Sequence, residues 1–139
     1  MVHYESDGVF DASVDKLWKY ITSENHQHSY MKNTKVVSQS GNQVTMEAEF
    51  RNPDNTWYKA RLNQTMNPPT GWEGSFSGGP MDGAKIKHTY TPTGNKTKVE
   101  LKGDFKAMPG LAESAQLKMI DDFFTMSFNE DNANLQKMK

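Results

Sequence analysis

The most continuous apolar pattern of the chain lies at its C-terminal end, in residues 109–139. Pro109 fits the first turn of a helix, because the N–H that proline lacks has no intrahelical partner there. No proline follows Pro109, and the only glycine in the segment is Gly110 beside it. The segment therefore predicts one helix of roughly eight turns.

Wound at about 100° per residue, this helix carries two apolar stripes. The first stripe consists of Leu111, Ala112, Ala115, Met119, Phe123, Met126 and Ala133. The second stripe consists of Leu117, Ile120, Phe124, Phe128 and Leu135. A surface helix usually buries a single stripe, so this helix predicts either a broad sheet that cradles it or a second partner.

The N-terminal part predicts one strand and two short helices. Residues 2–10 form the strand, and Val14–Ile21 has apolar residues at the i, i+3, i+4 and i+7 spacing of a buried helix face. Ser13 is the predicted N-cap of this first helix. A second short helix is predicted over residues 24–31, with Ser23 as its cap.

From Asn33 onward the apolar period changes from helical to alternating, which predicts six further strands. These strands are 35–39, 43–50, 57–66, 72–77, 84–91 and 96–105. The short Asn-, Pro- and Gly-containing turns between them indicate an antiparallel meander. Most strands have one apolar and one polar face, so the sheet is covered on one side, and the long helix is the expected cover.

Composition narrows the class of protein. With 139 residues, the chain predicts one domain over 1–139 with a core of its own. The absence of cysteine excludes disulfides and thiolate chemistry, and a net charge of −1 argues against a nucleic-acid partner. The N-terminus lacks the features of a signal peptide, and no apolar run is long enough for a membrane span. We therefore expect a cytoplasmic protein.

The order strand, two short helices, meander and long helix resembles the START, birch-pollen-allergen and polyketide-cyclase superfamily, often called SRPBCC. Its most specific likeness is the segment VFDASVDKLWKYI at 9–21, which is similar to the family's opening D-A-x-x-x-x-L/V-W pattern. The resemblance implies an α+β helix-grip fold. In that fold a curved seven-stranded antiparallel sheet wraps the long C-terminal helix, and a ligand cavity lies between them.

Several features of particular branches are missing from the sequence. The turn at 40–42 is too short to be the glycine-rich loop of the plant members, and the C-terminal helix has no tryptophan of the kind usual in the co-chaperone-type members. The iron ligands of the ring-hydroxylase branch have no evident counterpart. The resemblance therefore leaves the subfamily open.

Methionines and aromatic residues are the best candidates for a ligand site. The chain has nine methionines, three tryptophans, five tyrosines and seven phenylalanines. Strand and helix parity predicts that one set of these side chains, with a leucine and a histidine, lines the cavity. This set is Tyr30, Met46, Tyr58, Leu62, Trp72, Phe76, His88, Tyr90, Met119, Phe123 and Met126. It predicts either a packed core or an apolar, adaptable pocket with phenolic hydroxyls that orient a ligand.

Polar candidates are few. His88 shares strand parity with Ile86 and Tyr90, so it either lines the cavity or is a hydrogen-bonded core histidine. His26 and His28 stand two residues apart, a spacing that would point them in different directions on a helix, and no metal site or cofactor is predicted.

Two charged side chains raise the same question of orientation. Asp122 lies near the first stripe of the helix, either inside the cavity beside His88 or Arg61, or solvated at the helix margin. Arg61 has outward parity on its strand.

Three functions are consistent with these patterns. The first is binding of a small hydrophobic or aromatic molecule between sheet and helix. The second is a polyketide cyclase or dehydratase activity in which His88 and a tyrosine act as acid or base. The third is protein interaction through the second helix stripe or the loop 78–83, and a homodimer through that stripe is one form of it. No catalytic constellation is evident, so binding is the leading hypothesis.

Overall fold

One antiparallel sheet forms a layer of the protein in the computed structural model, which describes residues 1–23, 26–52 and 54–138. The seven strands among these residues are β1 (Val2–Phe10), β2 (Met31–Ser40), β3 (Gln43–Arg51), β4 (Trp57–Asn67), β5 (Gly71–Ser77), β6 (Lys85–Thr93) and β7 (Lys96–Phe105). The same residues contain two helices, α1 (Val14–Ile21) and α2 (Glu113–Lys137). The predicted seven-stranded helix-grip fold is confirmed.

The strand order is β1-β7-β6-β5-β4-β3-β2, so the meander runs without interruption from β2 to β7. The first strand of the chain pairs with the last, and Gly8 lies opposite Val99 in that pairing. The sheet edges are therefore β1 and β2, the two strands that flank α1 in sequence. Neither helix of the described residues has the length and apolar character that a membrane crossing requires.

Strand alternation places the core on one face of the sheet, as predicted. In β4, Ala60, Leu62 and Gln64 are buried while the residues between them are exposed. In β7 the buried positions are Thr97, Val99, Leu101, Gly103 and Phe105. These inward side chains form two neighbouring clusters, one under the middle of the sheet and one beside α1.

The first helix has the boundaries that the sequence predicts. The Ser13 hydroxyl accepts a hydrogen bond from the backbone N–H of Lys16 at 3.3 Å, as an N-cap does. Leu17 and Tyr20 are the buried residues of the helix, and the tyrosine ring is fully enclosed. This fixed end of α1 matters below, because the Tyr20 hydroxyl reaches α2.

The predicted second short helix is wrong for the residues that the structure describes. Residues 26–28 have no regular structure, residues 29–30 form a turn, and β2 begins at Met31, four residues before the predicted start. Glu24 and Asn25, which belong to the same prediction, lie outside the described residues. His28 and Tyr30 both point inward at a spacing of two, which an extended chain allows and a helix does not.

The long helix begins later than predicted. Gly110 has φ of +76°, a left-handed conformation that keeps the Pro109–Gly110 segment out of the helix. The Gln116 side chain holds the preceding loop, because it donates to the Lys106 carbonyl at 2.8 Å and accepts from the Met108 N–H at 3.1 Å. These hydrogen bonds hold the loop before α2, which begins at Glu113. The apolar pattern of the sequence gives no sign of them.

The two stripes of α2 have different environments. The second stripe packs into the core, and Leu135 within it is fully buried. In the first stripe Ala115, Met119 and Ala133 are exposed, whereas Phe123 is half-buried. The second stripe is therefore partly covered by the core rather than left as one exposed apolar patch, and the homodimer stays a prediction.

Candidate functional site

Two cavities lie between the sheet and α2. The first, which we call the inner cavity, has a volume of about 370 Å³ and is bordered by residues of all seven strands, α1 and α2. The second, which we call the methionine cavity, has a volume of about 420 Å³ and is bordered by Met81, Met108, Met119 and Met126. Tyr30, Phe123 and Phe124 line both cavities and form the wall between them.

All the side chains predicted to line a pocket border one of the two cavities. The inner cavity is lined by Tyr30, Met46, Leu62, Trp72, Phe76, His88, Tyr90 and Phe123. The methionine cavity is lined by Tyr30, Tyr58, Met119, Phe123 and Met126. The sequence predicted a single site, and the structure divides it at the ring of Phe123.

His88 occupies the centre of the inner cavity wall. It lies on β6, between Trp72 of β5 and Leu101 of β7 in the strand register. Its ring stacks on the Trp72 indole with 4.3 Å between centroids and an interplanar angle of 14°. Phe124 of α2 approaches the same ring edge-on at 6.5 Å. The imidazole is thus held in one orientation by aromatic contacts rather than by hydrogen bonds.

One nitrogen of the His88 ring has no hydrogen-bond partner among the residues that the structure describes. Its Nδ1 is buried, and no described residue offers it a hydrogen bond. Burial disfavours the charged imidazolium and lowers the pKa of His88 to about 4. At neutral pH the ring is therefore neutral, with one nitrogen that donates and one that accepts.

Gln64 contributes a second polar atom of the same kind. Its side chain lies on β4, the residue is buried, and it lines the inner cavity. Its Oε1 is buried and has no hydrogen-bond partner among the described residues. Buried polar groups without partners are rare, because each costs on the order of 1–3 kcal/mol. Two of them on one cavity wall make the inner cavity the candidate site.

The tyrosines of the inner cavity are already engaged with protein groups. The Tyr30 hydroxyl lies 3.0 Å from Ser127 Oγ, and the Tyr90 hydroxyl accepts from Trp72 Nε1 at 3.1 Å. Tyr4 donates to Asp121 at 2.6 Å. Burial raises the pKa of the Tyr30 and Tyr90 phenols, so both remain protonated at neutral pH. These hydroxyls shape the wall, while His88 and Gln64 keep free hydrogen-bonding capacity.

A histidine cluster that sequence analysis did not find lies on another part of the inner cavity wall. His28 Nδ1 is 3.0 Å from Glu130 Oε1, and His28 Nε2 is 3.1 Å from Asp131 Oδ1. His26 joins them, with its Nε2 at 3.2 Å from His28 Nε2. Burial lowers the pKa of His28, but hydrogen bonds and charge from Asp131 and Glu130 outweigh burial and raise it overall. The sequence offered two signals for this cluster, the spaced pair His26 and His28 and the adjacent acids Glu130 and Asp131, but no pattern showed that they meet.

Two charged residues considered from the sequence are exposed, and one of them, Asp122, also borders the methionine cavity. Asp122 is exposed and accepts from Lys118 Nζ at 2.7 Å, one helical turn away. Arg61 is exposed and pairs with Glu47, with 3.2 Å between Nε and Oε2. The outward parity predicted for Arg61 is confirmed, and Asp122 takes the solvated alternative.

The surroundings of His88 bear on whether it can transfer a proton. A general base works with a positioned partner that fixes its tautomer and stabilises its charge. No described carboxylate bonds to His88 Nδ1, and the surroundings disfavour the imidazolium. The part of the inner cavity around His88 is therefore lined by aromatic rings and has a neutral imidazole in its wall.

Solved structures with the same architecture come from several sources. A conserved protein from Geobacillus kaustophilus is 12% identical, with a TM-score of 0.82 over 97% of this chain and 95% of that one. A START superfamily protein from Mycobacterium smegmatis is 7% identical, with a TM-score of 0.79 over 99% of both chains. At these identities the likeness shows the fold alone.

A third similar structure is the di-domain ARO/CYC StfQ from the steffimycin biosynthetic pathway, at 12% identity and a TM-score of 0.74. The match covers 96% of this chain and 49% of StfQ, so the chain spans about half of that protein. A comparison with curated protein sequences gave no match. The sequence model of the family described as polyketide cyclase / dehydrase and lipid transport matches residues 1–137. The chain belongs to this family, within the SRPBCC superfamily that its order of elements resembles.

Proposed function

We propose that the protein binds a small, largely aromatic molecule with a hydroxyl group in the inner cavity. The observation that carries this proposal is the pair of buried atoms, His88 Nδ1 and Gln64 Oε1, that line the inner cavity without a hydrogen-bond partner among the described residues. Ligand sites of this type combine apolar surface with a few placed polar groups.

A hydroxyl group suits either of the two polar atoms. It can donate to the Gln64 carbonyl oxygen, and it can donate to or accept from His88 in either neutral tautomer. A carboxylate ligand fits less well, because Gln64 Oε1 only accepts and the surroundings of His88 resist a positive charge. The flat stack of His88 on Trp72 and the rings of Phe76 and Tyr90 favour an aromatic body.

The test is isothermal titration calorimetry with a matched pair of probes, 2-naphthol and naphthalene. We expect saturable binding of both, with 2-naphthol bound up to about tenfold more tightly, the effect of one hydrogen bond. His88→Leu keeps the apolar surface, so it should remove most of this preference while naphthalene binding changes little. His3→Leu, at an exposed histidine on β1, is the control and should behave like the wild type. Absence of saturable heat with either probe would contradict the proposal.

A cyclase or dehydratase activity is the second candidate. The observation in its favour is the neutral His88, whose ring lies beside Tyr90 with 6.4 Å between centroids. If the protein catalyses such a step, His88→Leu should abolish turnover of a poly-β-ketone substrate and leave the circular dichroism spectrum unchanged. A variant that retains turnover would exclude His88 as the acid or base.

A further inference from the structure

Three ligand-type atoms converge at one point beside the inner cavity. His26 Nε2, His28 Nε2 and Asp131 Oδ1 form a triangle with sides of 3.2, 3.1 and 3.5 Å. Ligand atoms that surround one tetrahedral ion at about 2.0–2.1 Å are separated by about 3.3 Å. A point at bonding distance from all three atoms therefore exists just outside the plane of the triangle.

The hydrogen bonds behind the triangle turn the lone pairs toward that point. His26 Nδ1 lies 3.2 Å from the Ile21 carbonyl oxygen, which only accepts, so the Nδ1 carries the proton. His28 Nδ1 faces Glu130 Oε1 at 3.0 Å and carries its proton for the same reason. In the neutral rings both Nε2 atoms then present lone pairs. Histidine ligands of metals are oriented in this way by carbonyl and carboxylate acceptors.

The carboxylate is fixed as firmly as the rings. Tyr20 donates to Asp131 Oδ1 at 2.6 Å from the buried end of α1, and Asn134 donates to the Tyr20 hydroxyl at 3.2 Å. The side chains of His28 and Asp131 are only 3% and 15% exposed. The donor set is thus held in place before any ion arrives, which lowers the cost of ordering it.

We propose that His26, His28 and Asp131 bind one divalent transition-metal ion, with Zn²⁺ as the representative species. Two imidazoles and one carboxylate suit zinc and its neighbours better than magnesium or calcium, which prefer oxygen ligands. Three protein ligands leave a coordination position open. All three residues also line the inner cavity, so that position lies where a cavity ligand can reach it.

His3 also lies near two carboxylates, but its neighbouring ligand atoms do not converge on one point. His3 Nδ1 lies 2.9 Å from Asp104 and its Nε2 lies 3.0 Å from Glu5, so the two carboxylates lie on different sides of an exposed ring. Both nitrogens of His3 are used, and the three groups share no common point. His3 is therefore the matched control for a metal titration.

The alternative to a metal ion is a proton on His28 Nε2, which would occupy the same space. A titration with Zn²⁺ alone at pH 7.5 distinguishes the metal ion from the proton. We expect one ion per chain with a dissociation constant in the micromolar range or below. His26→Ala and Asp131→Asn should each weaken binding at least tenfold, whereas His3→Ala should leave it unchanged. His26 is the better position to vary, because its side chain is 31% exposed, whereas that of His28 is 3% exposed, so we expect less disturbance of the fold.

An absorption spectrum gives a second readout of metal binding that does not depend on the heat of titration. Co²⁺ added to the wild type should give visible absorption bands of a four-coordinate site, and these bands should be lost in His26→Ala but kept in His3→Ala. No saturable Zn²⁺ binding to the wild type, or equal binding by the wild type and His26→Ala, overturns the proposal. The test contains no organic ligand, so its failure leaves the proposed function of the inner cavity untouched.

Discussion

The inner cavity and the methionine cavity have similar volumes, about 370 and 420 Å³, and they share the wall of Tyr30, Phe123 and Phe124. Their chemistry differs. The inner cavity holds buried, unpartnered polar atoms of His88 and Gln64 on a wall of stacked rings. The methionine cavity is bordered by four methionine side chains, and the charged residues Arg51, Lys106 and Asp122 also belong to its lining.

This difference shows that volume alone does not define a binding site. Thioether side chains adapt to many shapes and specify little. A fixed polar atom that lacks a partner demands a group of defined chemistry at a defined position. The proposal therefore places selective recognition in the inner cavity, next to the adaptable methionine side chains of the second cavity.

The largest effect that we expect is the change in the free energy of unfolding with pH. His88 has a pKa of about 4 in the folded chain, against 6.5 when exposed. Its contribution to stability is full above pH 6.5 and is lost as the pH falls from 6.5 toward 4, because the unfolded chain gains the proton first. Between pH 7 and 4 the wild type should lose about 3 kcal/mol more unfolding free energy than His88→Leu. Urea denaturation at both pH values measures this, and equal losses would show that His88 is not desolvated.

Phe123→Ala tests the wall between the cavities. Full burial of a phenylalanine is worth about 3–5 kcal/mol in such a substitution, so this half-buried ring should cost about 2 kcal/mol. The change also joins the two cavities, which should improve binding of a long-chain fatty acid relative to 2-naphthol. Met119→Ala, at an exposed position of the same helix, should change stability by less than about 0.5 kcal/mol. Equal effects of the two substitutions would place Phe123 outside the wall.

Filling each cavity in turn tests which one binds the aromatic probe. The larger side chain of Met46→Trp fills part of the inner cavity and should weaken the binding of 2-naphthol at least tenfold. Met81→Trp fills the methionine cavity by the same side-chain volume and should change the affinity for 2-naphthol less than about twofold. Overpacking costs on the order of 1–3 kcal/mol, so thermal denaturation must show both variants folded at the titration temperature. The opposite ranking would move the site to the methionine cavity.

His88→Leu gives the smallest expected effect, a gain of stability. Replacing a buried, unpartnered polar ring with an apolar side chain removes a desolvation cost, and we expect about 1 kcal/mol more unfolding free energy at pH 7. Gln64→Leu should act in the same direction for the same reason. Urea denaturation curves measure both, and a loss of stability would mean that packing against Trp72 outweighs the unpaired nitrogen.

The sequence pattern was sufficient for the sheet and its inward face, because alternation in β4 and β7 is regular and every predicted pocket residue borders a cavity. It was insufficient where side-chain hydrogen bonds decide the backbone. Gln116 delays the start of α2 by holding a loop eight to ten residues away in sequence.

The histidine cluster could not be predicted, because it depends on chain packing. His28 and Glu130 are separated by 102 residues, and His26 and His28 converge only because their segment is not helical. The division of the interior into two cavities depends in the same way on how Phe123 meets Tyr30, with 4.5 Å between ring centroids. Neither packing relation leaves a periodic trace in the sequence.

The most direct test of the central claim is the ¹⁵N NMR signal of the His88 ring nitrogens, with and without 2-naphthol. In the free protein these signals should report a neutral ring down to pH 5. When 2-naphthol saturates the protein, the Nδ1 signal should shift as that nitrogen gains a hydrogen bond, while the ring nitrogens of His3 stay unchanged. A probe that binds by calorimetry but leaves the His88 signals in place would contradict the claim that the inner cavity recognises its ligand through His88.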